Sequence, residues 1–214
     1  WLSKHLEKCH GGNHLIENLI SLIITSLYFE GCTALNIKIN SIKLLEEELS
    51  RQILKDGGHE ERSASYHIAI LDGLVTLGNY LIIKDNIKPF WLETHIKRMY
   101  FWLTKVKLIG NQFPRFNDSA CDSCPSIRQT LDYTFAYLNN SEYICNSHRG
   151  IISKVAKNST KKFFNKENLV RDSFNKILID LPSTGWTIFR PGSGWEILFK
   201  CGISCPKHLP AHVH

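Results

Sequence analysis

The sequence lacks a long uninterrupted hydrophobic run. Its most apolar stretch, near residues 19–27, is broken by serine and threonine, and it falls well short of the roughly 20 apolar residues that a membrane-spanning helix needs. We therefore predict a chain that does not insert into a membrane. The chain begins at Trp1 and ends at His214, inside a histidine-rich stretch. We interpret both ends as cuts within a longer protein, so that a missing signal peptide says nothing about the compartment.

The sequence also lacks a recognisable cysteine framework. Seven cysteines form an odd set, and Cys121-Asp-Ser-Cys124 is a single CxxC pair without a second pair at zinc-ligand spacing. We prefer buried thiols or an incidental disulfide to a metal or redox role for these residues. Internal repeats that would indicate a solenoid are missing as well.

Acidic residues are in modest deficit. The chain has 26 Lys and Arg against 20 Asp and Glu, a formal net charge of +6 at pH 7. This excess suits an anionic partner such as an acidic polysaccharide, a nucleic acid or a membrane surface, and the charge does not choose among them. With 214 residues, 43% of them hydrophobic, the chain can bury one sizeable core, or one core and part of another.

The first 138 residues have the hydrophobic spacing of amphipathic helices. We predict five helices, with boundaries set by capping and turn residues. Their expected spans are Asn13 (as the cap) to about Leu27 with Gly31 as the stop, about Ser41 to Leu54, about Ser63 to Ile83, Pro89 to about Val106, and about Ile127 to Leu138. Successive amphipathic helices joined by short loops predict an array of α-hairpins, either a bundle or an α/α toroid.

The composition changes near residue 139. Between Arg149 and Lys176 there are eight basic residues and only two acidic ones, which indicates a basic, irregular linker over residues 139–183. Two aromatic and β-branched stretches, 185–190 and 195–200, then flank a glycine-rich turn, a pattern typical of an antiparallel hairpin. Because a lone hairpin is marginal in water, we expect residues 184–214 to begin a larger sheet domain.

Two short segments near the ends of the chain concentrate side chains capable of chemistry. In the first, Asn13 lies at a helix start, and His14 and Glu17 share a helix face one turn apart. An N-cap asparagine beside a surface ion pair explains the same pattern. In the last segment, His212 and His214 would face the same side of a strand, which suits two metal ligands, or one ligand and one catalytic base. A disordered histidine-rich end is the alternative there.

A third such segment lies between the second and third expected helices. A glycine turn at 56–58 delivers a run of titratable side chains into a new helix, namely His59, Glu60, Glu61, Arg62, Tyr66 and His67. A functional cluster and a simple helix start explain this run about equally well, since acidic residues favour the N-terminal end of a helix dipole.

Four segments, taken in order, resemble the heparinase II/III-like family of polysaccharide lyases. They are Gly-Asn-His-Leu-Ile-Glu-Asn at 12–18, Asp-Gly-Gly-His-Glu-Glu-Arg-Ser-Ala-Ser-Tyr-His at 56–67, Phe-Asn-Asp-Ser at 116–119 and Leu-Pro-Ala-His-Val-His at 209–214. The second segment is the most specific. The resemblance implies a mainly α chain, in which a partial α/α toroid (1–138) precedes the first antiparallel strands of a β-sandwich (184–214), with the active site in the cleft between them.

The resemblance further implies β-elimination at a uronic acid of an acidic polysaccharide, with no nucleic-acid partner. Asn13 and His14 match the residues that neutralise the uronate carboxylate. Tyr66 matches the tyrosine that exchanges protons with the substrate, as base, acid or both, and His212 matches a histidine of the catalytic cleft. The residues expected to contact the substrate or to support the catalytic groups are Glu17, His59, Glu61 and Arg62.

The chemistry of a phenol adds one expectation. A tyrosine hydroxyl has an ordinary pKa of about 10, so a cation such as Arg62 or a protonated histidine is expected to lower the pKa of Tyr66 towards a useful value.

The resemblance also concerns a metal. His214 matches the first ligand of a structural zinc in the family members that have one. Because such a zinc takes about four ligands, and the others would follow His214, we expect zinc in the complete protein and none held by this chain. Secretion or a periplasmic location is likewise implied by the resemblance alone, and the oligomeric state is not indicated.

Two other functions fit the same sequence. An α/α-toroid glycoside hydrolase would use paired carboxylates, Glu17 with Glu60 or Glu61, and would release a saturated product. A non-catalytic carbohydrate-binding protein would keep a basic cleft and tolerate loss of Tyr66. For a lyase, the sequence is equally compatible with a glycosaminoglycan, alginate or a bacterial capsule-type polymer.

Overall fold

The computed structural model describes residues 1–8, 11–120, 124–139, 178–192 and 194–206. Within these ranges five α-helices precede three β-strands, which confirms the predicted order of helices and sheet. The helices are α1 (Gly12–Ser26), α2 (Cys32–Gln52), α3 (Ala64–Asp85), α4 (Phe90–Val106) and α5 (Ile127–Leu138). The strands are β1 (Leu178–Leu181), β2 (Trp186–Phe189) and β3 (Ile197–Lys200).

The starts of α1 and α2 correct two predictions. Gly11, with φ 58° and ψ −140°, precedes α1, so Asn13 lies in the first turn of the helix and does not cap it. Gly31, with φ 98°, precedes α2, which begins at Cys32 rather than near Ser41. The first half of α2 was missed because its side chains are not buried, and the helix therefore carries no apolar periodicity there.

The core lies around α3. This helix packs against α1, α4 and α5, while α2 packs mainly against α1. Burial on nearly all sides of α3 agrees with a central position. Among the described residues, α3 is also the one helix long and apolar enough to cross a membrane, but 61% of its most apolar window is buried inside the protein. A buried helix in the core of a folded domain meets the same criteria of length and apolar composition.

The three strands form one antiparallel sheet in the order β1-β2-β3, with Ile179 opposite Ile188 and Ile188 opposite Leu198. One face of the sheet is buried against the helices, where the ring of Trp186 lies 5.1 Å from that of Trp102 in α4. The predicted hairpin is therefore confirmed. β1, however, lies within the segment predicted as irregular linker. A strand of four residues is too short to show a clear alternation of polar and apolar side chains next to the basic stretch.

A buried ion pair fastens the hairpin to the end of α4. The Arg190 guanidinium donates through Nε to Glu196 Oε1 (2.7 Å) and through Nη2 to the carbonyls of Lys105 (2.8 Å) and Lys107 (2.9 Å). The other carboxylate oxygen of Glu196 accepts the backbone amide of Ile109 at 2.6 Å. Sheet and helices are thus joined by a hydrogen-bonded charge pair and by apolar packing.

Candidate functional site

The glycine turn at 56–58, within the loop between α2 and α3, connects this loop to α4 and to the sheet. Asp56 Oδ2 accepts the backbone amide (2.7 Å) and the hydroxyl (2.8 Å) of Thr184, which precedes β2. The indole of Trp102 donates to the same hydroxyl at 3.1 Å. A Cβ atom on Gly58 would lie 2.2 Å from the Thr184 methyl and 2.7 Å from Trp102 Nε1. Glycine is therefore required at position 58 by close packing.

The charged run that follows this turn is buried. His59 is 1% exposed and its Nε2 lies 2.9 Å from Gln52 Oε1. Burial, together with smaller effects of His67 and Arg51, lowers the pKa of His59 to about 3. Its imidazole is consequently neutral at neutral pH. This histidine is held inside the protein, against the end of α2.

Arg62 joins the loop to the sheet. Its backbone is left-handed (φ 54°), and its side chain donates through Nε to Thr184 O (3.1 Å) and through Nη2 to Ser183 O (3.4 Å). Only 7% of the residue is exposed, and burial lowers its pKa against the opposing effect of Asp56. The guanidinium donates to carbonyl groups just before β2, so Arg62 stabilises the contact between the loop and the sheet.

The expectation that His59, Glu61 and Arg62 contact the substrate or support the catalytic groups stays a prediction, and their burial fits the supporting role better. Their exposed fractions are 1%, 1% and 7% in the part of the chain that the structure describes. Their partners lie elsewhere in the chain, in α2, in the strand region and in α1. A local sequence pattern carries no information about such partners. Of the four predicted contact residues, Glu17 alone is exposed.

Glu61 connects two of the predicted catalytic positions. Its Oε1 accepts the backbone amide of Asn13, in the first turn of α1, at 2.9 Å. Its charge also acts on the phenol of Tyr66, in the first turn of α3. The starts of α1 and α3 therefore lie beside the same buried carboxylate. Both Asn13 and Tyr66 are partly exposed, as residues that meet a substrate must be.

The predicted residues of α1 lie at the surface. The side chain of His14 is 62% exposed, and its Nδ1 lies 3.1 Å from Glu7 Oε2. An imidazole held through Nδ1 presents Nε2 on its other side. Glu17 is exposed one helical turn further on. This end of α1 is accessible in a way that the α2–α3 loop is not.

The environment of Tyr66 is acidic. Burial, followed by the nearby carboxylates of Asp118 and Glu61, raises the pKa of the Tyr66 phenol above its ordinary value. The prediction that a cation such as Arg62 lowers this pKa is therefore wrong, because the Arg62 guanidinium donates to the carbonyl groups of Thr184 and Ser183 instead. The Tyr66 phenol is therefore protonated at neutral pH.

The segment 116–119 holds the site together. Asn117 is 7% exposed, and its Nδ2 donates to Glu61 O (2.7 Å) and Ser204 O (3.0 Å), while Lys200 Nζ contacts its Oδ1. Ser119 Oγ accepts the amide of Ala64, at the start of α3, at 2.9 Å. The sequence comparison above included this segment but assigned no role to it. Asn117, Asp118 and Lys200 are the site residues that sequence reasoning missed.

The carboxylates required by a hydrolase are already engaged. Glu60 forms an ion pair with Arg51, with 2.9 Å between Oε1 and Nη1, and Glu61 is buried against Asn13. His212 and His214, predicted as a cleft histidine and a zinc ligand, lie outside the described residues. Their roles, and the zinc site, stay predictions.

Comparisons with known proteins address the family and the fold. Residues 1–144 match the family described as Heparinase II/III N-terminus. Among solved structures, heparinase III is similar with a TM-score of 0.51 and 22% identity, over 61% of this chain and 21% of that chain. At this identity the likeness concerns the fold, a partial α/α toroid followed by the start of a sheet domain. No curated protein matches the chain. Because the family match covers all five helices and the three motifs within them, the chain belongs to the heparinase II/III-like family.

Proposed function

We propose that the protein is a polysaccharide lyase that cleaves a uronic-acid-containing polymer by β-elimination. The observation that carries this proposal is the placement of Asn13 and Tyr66 beside Glu61, at the starts of α1 and α3, in a chain of this family. The net charge of +6 suits an anionic polymer. The structural likeness to heparinase III favours a glycosaminoglycan over alginate or a capsule-type polymer.

In this mechanism the uronate carboxylate must first be neutralised. A C5 proton next to an ionised carboxylate is a very weak acid, because removing it places further negative charge on the same group. Asn13 and His14 are proposed to supply hydrogen-bond donors to the carboxylate. Donors that are fixed before the reaction stabilise the enolate-like intermediate without reorganisation, at about 3 kcal/mol for each donor.

Tyr66 is proposed to exchange protons with the substrate. The C5–H bond breaks, its electron pair forms the C4=C5 double bond, and the C4–O4 bond breaks as O4 takes a proton. A phenol with a raised pKa can give that proton to O4. It cannot take the C5 proton as a free tyrosinate at neutral pH. The C5 proton must therefore pass to another group, such as His212, or through the phenol to a neighbour.

The hydrolase alternative has less support. It requires a pair of carboxyl groups facing one glycosidic bond. Of the candidates, Glu60 forms an ion pair with Arg51, and Glu61 is buried. A binding protein without catalysis would be indifferent to the phenol of Tyr66. The partly exposed position of this phenol, near the Asp118 and Glu61 carboxylates, favours a role in chemistry.

The nature of the product tests the proposal. A lyase releases an unsaturated uronate that absorbs in the near ultraviolet, whereas a hydrolase releases reducing ends without absorbance. We expect the protein to raise the absorbance with a glycosaminoglycan, and to do so less or not at all with alginate. Glu17→Gln should lower this rate far less than Tyr66→Phe does, whereas a hydrolase would show the reverse order. New reducing ends without absorbance, or tight binding without cleavage, would overturn the lyase proposal in favour of a hydrolase or a binding protein.

A further inference from the structure

Lys200, the last residue of β3, lies on the face of the sheet that packs against the helices. It is opposite Trp186 in the sheet, and directly opposed residues of an antiparallel pair have their side chains on the same face. Trp186 is fully buried against Trp102 of α4. The other inward position of β3 is Leu198, which packs against the hydrophobic core. A lysine at such a position must carry its charge to the edge of the contact between sheet and helices.

The ammonium group of Lys200 reaches the segment 116–119. Its Nζ contacts Asn117 Oδ1 and lies 3.5 Å from Ser204 O. It also lies 6.0 Å from the centroid of the Phe116 ring. The lysine side chain is only partly buried, so an anion from solution can reach the ammonium.

This position lies close to the proposed catalytic residues. Asn117 Nδ2 donates to Glu61 O at 2.7 Å, and Glu61 Oε1 accepts the amide of Asn13 at 2.9 Å. Two residues therefore connect the Lys200 ammonium to the start of α1, where the uronate carboxylate is proposed to bind. Because these residues stand between Lys200 and Asn13, we expect the two positions to serve different anionic groups.

The contacts of the Lys200 ammonium are to uncharged groups. An ammonium has three N–H donors, and here they meet an amide oxygen and a carbonyl oxygen. In the part of the chain that the structure describes, no carboxylate lies within ion-pair distance of Lys200 Nζ. Burial, followed by the nearby charge of Arg62, lowers the pKa of Lys200. A partly buried cation without a counter-charge gains more from binding an anion than a fully solvated cation does.

We infer that Lys200 binds an anionic group of the polymer, on a sugar next to the one that reacts. This inference rests on the proposed lyase function and deepens it, because it assigns a substrate-binding residue to the sheet. The bound group is an oxyanion, either a uronate carboxylate or a sulfate, since both offer oxygen acceptors to an ammonium. Lys200 thereby contributes to affinity, whereas Tyr66 acts on the reacting sugar.

The first experiment measures binding without cleavage, in the Tyr66→Phe protein. In this background Lys200→Met keeps most of the apolar stem of the side chain and removes its charge. We expect the Kd for heparan sulfate to rise about 10-fold to 100-fold, the range of one hydrogen bond to a charged group.

The matched control is Lys84→Met in the same background. Lys84 is exposed and lies at the other end of α3 from Tyr66, roughly 27 Å along the helix. This variant removes the same charge and should leave the Kd nearly unchanged. An equal rise of the Kd in both variants would mean that only the net charge matters, and the inference would be wrong.

Two forms of one polymer identify the anionic group. Chemically desulfated heparan sulfate keeps the uronate carboxylates and loses the sulfates. If Lys200 holds a carboxylate, Lys200→Met should weaken binding of both forms. If it holds a sulfate, the variant should weaken binding of the sulfated form alone. Either result supports the inference, and unchanged binding of both forms overturns it.

The second experiment measures turnover by the near-ultraviolet absorbance of the product. With Tyr66 in place, Lys200→Met should raise KM by about the same 10-fold to 100-fold, with a much smaller change in kcat. Lys200→Arg keeps the charge and should restore most of the affinity. A role confined to folding would not produce this split between KM and kcat.

A different role for Lys200 makes a different prediction. Inward-facing lysines also keep edge strands from pairing with other chains, and β3 is an edge strand of the described sheet. If this is all that Lys200 does, Lys200→Met should aggregate more readily while its soluble fraction keeps the parent Kd and KM. That result would overturn the inference.

The outcomes also separate the inference from the lyase function. If the wild-type protein forms no unsaturated product, the lyase function fails, and the Kd of Lys200→Met in the Tyr66→Phe background still decides whether Lys200 binds the polymer. If product forms but Lys200→Met changes neither Kd nor KM, the lyase function stands and the inference on Lys200 is wrong.

Discussion

The start of α1 and the α2–α3 loop differ in accessibility, although both present polar side chains at a helix start. At the start of α1 the His14 side chain is 62% exposed and Glu17 is exposed. In the loop, His59, Glu61 and Arg62 are at most 7% exposed and hydrogen-bonded inside the protein. The comparison indicates that the start of α1 is open to solvent, whereas the α2–α3 loop forms a buried, hydrogen-bonded frame. Changes in the loop should therefore affect stability, and changes at the start of α1 should affect activity.

The largest effect on stability should come from acid. Burial lowers the pKa of His59 to about 3 and that of His67 to about 4. The ordinary value in an unfolded chain is about 6.5, so the unfolded state binds more protons as the pH falls. Stability should therefore be lost between about pH 6.5 and pH 4, by roughly 3 kcal/mol for His67 alone.

Urea unfolding at a series of pH values measures this loss. The ring of His67 lies 4.4 Å from that of Trp102, and His67→Phe keeps an aromatic ring at this position while removing the titrating group. The variant should show a shallower dependence of stability on pH. An equally steep dependence would mean that other groups account for the acid sensitivity.

The next largest effect should follow from Gly58→Ala. The added methyl group would meet the Thr184 side chain and the Trp102 indole at 2.2 Å and 2.7 Å, so the loop must move away from the sheet. Overpacking of this kind costs about 1–3 kcal/mol. The matched control is Gly73→Ala inside α3, where the nearest atom is the flexible end of Ile20 at 3.3 Å. Thermal unfolding of the two variants should differ clearly, and equal melting temperatures would contradict the close packing at Gly58.

A smaller loss is expected for Arg62→Lys. Lysine keeps the charge but cannot donate at once to Thr184 O and Ser183 O as the guanidinium does. We expect a loss of about 1–2 kcal/mol in the free energy of unfolding, the range of one or two buried hydrogen bonds. Arg128→Lys, at an exposed residue of α5, is the control. If both variants unfold at the same urea concentration, Arg62 does not join loop and sheet.

The smallest effect on stability is expected at the start of α1. His14→Ala removes an exposed side chain and its contact with Glu7, so the free energy of unfolding should change by about 0.5 kcal/mol or less. The rate of product formation should nevertheless fall on the order of 100-fold, if His14 supplies one fixed donor to the uronate. A variant that loses stability but keeps its rate would reverse the assignment of the two segments.

The parts of the fold that the sequence predicted are those with local signals. α4 and α5 begin and end near their predicted limits because Pro89 and Ser126 precede apolar residues at helical spacing. The early start of α2 was missed because its first half is exposed, and β1 was missed because it is only four residues long. Capping residues and periodicity report local structure, and exposed or very short elements supply little of either.

The candidate site was only partly predictable for a similar reason. The motifs identified Asn13 and Tyr66, and the structure places both beside Glu61. The effect of Asp118 on the pKa of Tyr66 and the contact between Asn117 and Lys200 both join residues far apart in sequence. Contacts of this kind come from packing of the helices and the sheet. The carboxylates near Tyr66 could be identified only from the three-dimensional structure.

The central claim, that Tyr66 performs chemistry within a frame built by other residues, is tested most directly by Tyr66→Phe. The measurement is the initial rate of near-ultraviolet absorbance increase, taken with the free energy of unfolding of the same preparation. The account predicts a rate loss of at least about 100-fold, with a stability change of about 1 kcal/mol or less, because only the hydroxyl of a partly exposed side chain is removed. A near-normal rate, or a rate loss matched by unfolding of the protein, would contradict it.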